Sequence, residues 1–132
     1  MSVAIGVLVM LVAGASFIGF SGADRDLRIG DRVFAEWSLK VWYPGVIQKT
    51  CEKGFTVLYD DGDTRCVSTG EMIRDTLPKK ETVRVGAEVI AQWEKGPYYD
   101  ATIIAITDDT YKIQYYTKET AWKKLSEMRV TK

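Results

Sequence analysis

The chain has 132 residues, 46% of them hydrophobic and 27% charged, room for one ordinary domain or two very small ones. Its 18 Lys and Arg balance 18 Asp and Glu, so it lacks the net basic charge that general phosphate-backbone binding requires. It has no His, which removes the commonest general base and the commonest metal ligand, whereas four Trp and seven Tyr supply large contact areas for a binding surface or for small cores.

No charge occurs from Ser2 to Ala23, and the run from Val3 to Phe20 is almost wholly apolar. About 20 apolar residues span a bilayer core as a helix. Residues 1–23 therefore read as a hydrophobic N-terminal helix, either a signal peptide or a transmembrane anchor. Ser21-Gly22-Ala23 offers a small-residue cleavage site, although no Lys or Arg precedes the apolar run. Arg25, Arg28 and Arg32 follow it, and for an uncleaved anchor they favour a cytoplasmic C-terminal part. A buried core helix is a third reading, with no polar face to mark it. The expected location is thus the membrane, through a single span at residues 3–20, or outside the cell after export.

Beyond this segment the chain repeats. Displacing the sequence by 56 residues sets Gly30 on Gly86, Val33 on Val89, Ala35 on Ala91 and Trp37 on Trp93 without a gap. The same offset sets Tyr43 on Tyr99, Ile47 on Ile103, Tyr59 on Tyr115 and Met72 on Met128. Similar residues coincide elsewhere, among them Phe34 with Ile90 and Trp42 with Tyr98. Two units follow, residues 28–74 and 84–130, joined by a linker at 75–83.

Each unit alternates with the period of a strand. Val33, Ala35 and Trp37 share one face of a first strand, and a second runs from Trp42 to about Lys49. Cys51-Glu52-Lys53-Gly54 makes a turn, and Phe55, Val57 and Tyr59 share a face of the third strand. Asp60-Asp61-Gly62-Asp63 is a hairpin signal, since Asp-Gly supplies the positive φ of a tight turn. A fourth strand covers Thr64 to Ser68, and a helical turn at Thr69–Ile73 precedes a last short strand. The second unit repeats this over 88–93, 98–106, 110–116 and 120–124. So few short strands cannot build a sandwich, but they can close into small, strongly bent barrels.

Cys51 and Cys66 are the two cysteines. If Tyr59 pairs with Thr64 across the hairpin, Cys66 lies opposite Val57 and Cys51 at the far turn. The third strand then separates them beyond the roughly 7 Å Cα limit of a disulfide, so no bridge is expected. Without His or a Cys-x-x-Cys pair, no metal site or cofactor is expected either.

Several of these strings resemble Tudor domains. They are Gly30-Asp31-Arg32-Val33-Phe34-Ala35-Glu36-Trp37, Trp42-Tyr43-Pro44-Gly45-Val46-Ile47, and Phe55-Thr56-Val57-Leu58-Tyr59-Asp60-Asp61-Gly62-Asp63. The second unit matches less closely, and the arrangement is similar to a tandem Tudor pair. The resemblance implies an all-β fold of two SH3-like, Tudor-like five-stranded barrels behind the hydrophobic helix. It also implies a non-catalytic module that holds a methylated Lys or Arg of a protein or peptide in an aromatic cage. The implied ligand-binding positions are Trp37, Tyr43, Tyr59 and Asp61 in the first unit, and Trp93, Tyr99 and Tyr115 in the second. There the acidic turn has become Thr117-Lys118-Glu119, so the first unit is the expected binder. No nucleophile–base pair, phosphate-cradling loop or paired carboxylates point to an enzyme. The alternatives are a membrane-anchored or exported scaffold and, more weakly, nucleic-acid binding.

Overall fold

The computed structural model describes residues 26–131. The expected N-terminal span lies outside them, and among the described residues no helix is long and apolar enough to cross a membrane. Ten strands form in chain order. β1 (Arg32–Ser38), β2 (Val41–Cys51), β3 (Gly54–Tyr59), β4 (Thr64–Ser68) and β5 (Met72–Arg74) make the first unit. β6 (Glu88–Gln92), β7 (Tyr98–Thr107), β8 (Thr110–Tyr115), β9 (Thr120–Lys124) and β10 (Met128–Val130) make the second. Single 3₁₀ turns at Thr69–Glu71 and Leu125–Glu127 lead into β5 and β10.

Every ladder is antiparallel, and the second unit copies the first. In each unit the first strand pairs with the second and fifth, and the second, third and fourth run as a meander. Both long strands carry a bulge at the same place, between Ile47 and Lys49 and between Ile103 and Ala105. Such bulges sharpen the local twist and let a short strand curl. Each unit packs its own apolar cluster. Val33, Ala35, Ile47, Val57, Tyr59, Val67 and Met72 fill the first, and Val89, Ala91, Ile103, Ile113, Tyr115 and Met128 belong to the second.

The units join through β2 and β7, which pair Val41 with Tyr99 and Trp42 with Tyr98. Behind this short ladder Phe34, Trp42, Ile90 and Tyr98 form a third buried cluster. These are two pairs of repeat-equivalent residues, so the joint has a pseudo-twofold character, each unit offering the same patch to the other. That explains why Val33-Phe34-Ala35 and Val89-Ile90-Ala91 are apolar without alternation: both faces of β1 and β6 are covered. Trp42 Nε1–H donates to Asp100 Oδ1 at 2.7 Å across the joint. The buried Arg129 is held against Asp75 of the linker, with Nε to Oδ1 at 2.8 Å. Its guanidinium lies 5.3 Å from the Phe34 ring centroid and 5.9 Å from that of Tyr98.

The cysteines correct the sequence reading, because Cys51 and Cys66 form a disulfide with Cα atoms 6.0 Å apart. The expected hairpin register was off by one residue: Leu58, not Tyr59, faces Thr64, and Cys66 faces Thr56. The bulge in β2 shifts that strand as well, so Thr56 stands between Lys49 and Cys66. Cys51, Thr56 and Cys66 therefore share one face, and the coiling of the hairpin end brings the cysteines together.

Candidate functional site

Period-two alternation sends Trp37, at the end of β1, and Tyr59, at the end of β3, to one mouth of the first unit. Tyr43 on β2 joins them. Their ring centroids are 5.3 Å apart for Trp37–Tyr59 and 6.4 Å for both Trp37–Tyr43 and Tyr43–Tyr59, with interplanar angles of 81° to 85°. Edge-to-face contacts at these separations are favourable in themselves. Tyr59 is the floor of the group rather than a wall: it is 2% exposed and its hydroxyl donates to Glu36 O at 3.1 Å. Asp61 is exposed, and its Oδ1 accepts the Asp63 N–H at 3.0 Å, closing the hairpin turn. With Tyr43 and Tyr59 it borders a cleft of about 450 Å³ that reaches Tyr98 and Arg129 of the second unit.

A residue that the sequence reading passed over completes this group. Arg65 of β4 sets its guanidinium 5.6 Å from the Trp37 ring centroid, and its Nη1 donates to the Trp37 carbonyl. The first aromatic group is thus already covered by a cation of its own chain. Displacement by 56 residues contains the signal for this, since it sets Arg65 on Ala121.

In the second unit Trp93, Tyr99 and Tyr115 also come together. The centroid distances are 5.9 Å for Trp93–Tyr99, nearly stacked, 5.2 Å for Trp93–Tyr115 and 6.1 Å for Tyr99–Tyr115. Tyr115 repeats the floor position, with its hydroxyl donating to Gln92 O at 2.6 Å. Tyr116 lies beyond Tyr99 at 6.1 Å and is met by Lys40 of the first unit, whose Nζ is 5.9 Å from its ring and 3.8 Å from Asp100 Oδ2. Among the described residues no cation stands over Trp93. Its ring borders a hollow of about 200 Å³ with Glu94, Tyr115, Thr120, Ala121 and Lys123. The turn that lost its acidic sequence keeps its shape: Lys118 takes φ 84° where Gly62 takes 99°. Its N–H donates to Tyr115 O as that of Gly62 does to Tyr59 O.

Burial pushes the Tyr59 and Tyr115 phenols up to about 12. Unfolded tyrosines ionise near pH ~10, so the unfolded chain loses these protons first. The stability due to the neutral phenols is complete below that pH and falls as pH rises to about 12. Thermal unfolding followed from pH 9 upward is expected to show this decline, and Tyr115→Phe should make it shallower.

No protein-family model matches the sequence, and no curated protein matches it. Solved structures do resemble it. The ADCP1 tandem Agenet domain 3-4 superposes with a TM-score of 0.56 at 14% identity, covering 83% of this chain and 84% of that one. The Arabidopsis thaliana AGDP1 AGD34 structure gives 0.57 at 15% identity, covering 83% and 86%. These tandem Agenet folds are Tudor-like, and the strand arrangement found here is of the same kind.

Proposed function

We propose that the chain is a non-catalytic protein-binding module whose second unit receives a cationic side chain, a methylated Lys or Arg, against Trp93. One observation supports this above the rest: Trp93 borders a hollow with no cation over its ring among the described residues, whereas the equivalent Trp37 is covered by Arg65. Methylation keeps the charge of an ammonium but weakens its hydration, and aromatic faces attract such a cation within about 6 Å. Tyr115 is fixed by its bond to Gln92 O, so the floor of the group is set before the ligand arrives. The hollow's lining carries one acidic and one basic side chain, Glu94 and Lys123, and so no net charge of its own. Selection then rests on ring contact and easy desolvation, which favours methylated over unmodified lysine.

The test is calorimetric titration with a trimethyllysine peptide and its unmodified counterpart. The methylated peptide is expected to bind about tenfold tighter or better, a difference near 1.4 kcal/mol. Glu94→Lys, an exposed change that leaves the core alone, should weaken it by adding a like charge at the rim. Equal affinity of the two peptides would sink the proposal.

A further inference from the structure

We infer that Arg65 is a built-in occupant of the first unit's aromatic group, holding it closed to the kind of ligand that the second unit admits. This rests on the reading of Trp93 just given and adds a reason why the two units differ. Arg65 lies on β4, which among the described residues is an edge strand paired with β3. Two residues before the buried Val67 and opposite the buried Val57, it lies on the strand's inner face, yet at the exposed end where it meets Trp37 at the mouth. Its guanidinium combines ring contact with donation to the Trp37 carbonyl. The hollow beside it, about 140 Å³, is also lined by Glu36 and Glu71, a setting suited to a cation. The next residue, Cys66, is bridged to Cys51 of β2, so the edge strand that presents Arg65 is fixed from a second side.

The second unit keeps the equivalents of Trp37 and Glu71, in Trp93 and Glu127, but lacks both the cation and the bridge. Ala121 replaces Arg65, and Thr107 and Trp122 stand where Cys51 and Cys66 would be. The difference between a closed and an open group therefore comes down to one guanidinium on a pinned strand. An incoming cation must displace Arg65 from Trp37, and it gains nothing that Arg65 does not already supply.

The experiment titrates the full chain, labelled with ¹⁵N, with tetramethylammonium and follows the indole N–H resonances. In the unaltered chain Trp93 should respond and Trp37 should not. Arg65→Ala should confer a response on Trp37, with affinity raised about fivefold or more over the unaltered chain. Arg65→Gln keeps a donor for the Trp37 carbonyl but no charge, and should do the same. Ala121→Arg should weaken the Trp93 response by a similar factor. A silent Trp37 in both folded Arg65 variants, or an unchanged Trp93 in Ala121→Arg, overturns the inference. A silent Trp93 in the unaltered chain with a responsive Trp37 in the Arg65 variants would instead sink the reading of the second unit and leave this one standing.

Discussion

Replacing Arg129 with methionine is expected to lower stability by about 3 kcal/mol, within the range for breaking one partner of a buried ion pair. The guanidinium donates to Asp75 Oδ1 and to the carbonyls of Ser126 and Met128, each at 2.8 to 2.9 Å. Methionine fills much of the space against Phe34 and Tyr98 but takes from the Asp75 carboxylate its hydrogen-bonded partner, leaving only the more distant charge of Arg32. The larger part of the loss is that stranded charge rather than lost packing. The double change Arg129→Met with Asp75→Leu should therefore recover most of it. Urea unfolding of the two variants decides the matter. If the double variant is no better than the single one, the ion pair is not the cause, and the loss lies in the Ser126 and Met128 carbonyl bonds and the contact with Phe34 and Tyr98.

Removal of the disulfide is the second large effect. Cys51 and Cys66 are 15 residues apart, and closing a loop of that length restricts the unfolded chain by about 3 kcal/mol. Cys51→Ala with Cys66→Ala should lose an amount of this order in urea unfolding. The resonances of residues 84–130 should stay in place, because the bridge lies wholly within the first unit. A loss well under 1 kcal/mol would mean that the hairpin already restrains β4 without the bond.

Much of the fold was legible in the sequence. The 56-residue offset carried both strand sets, and the hairpin turn and the short last strands followed from local chemistry. Both aromatic groups were legible too, since alternation alone sends Trp37 and Tyr59, or Trp93 and Tyr115, to one end of a unit. The disulfide was not, because it depends on register. One residue of slip moves Cys66 from facing Val57 to facing Thr56 and to the other side of the strand, and a turn sequence does not fix a loop to that precision. The joint was half legible. The unbroken apolar runs around Phe34 and Ile90 mark strands covered on both faces, but alternation cannot say what covers them. Arg65 escaped notice because a charged residue on an edge strand ordinarily points to solvent, and only the ring beneath it makes the contact meaningful.

The turn chemistry and the surroundings of the two Trp rings favour different units. The loss of acidic residues at Thr117-Lys118-Glu119 makes the first unit look like the better host for a cation. In the structure Asp61 is engaged in its own turn, while the cation-bearing difference lies on β4 and β9, where Arg65 faces Trp37 and Ala121 leaves Trp93 open. On the proposed reading, the acidity of a turn matters less than whether the ring beside it is already occupied.

The central claim, that Trp93 holds a cation by ring contact, is tested most directly by one comparison in the full chain. A trimethyllysine peptide is titrated against the same peptide bearing the uncharged carbon isostere, which has the same shape and apolar area without the charge. The account predicts that the charged peptide binds about fivefold to thirtyfold tighter, the range that 1 to 2 kcal/mol of cation–ring attraction gives, and that it shifts the Trp93 indole resonance. Equal affinity for the two peptides, or binding that leaves Trp93 undisturbed, would contradict it.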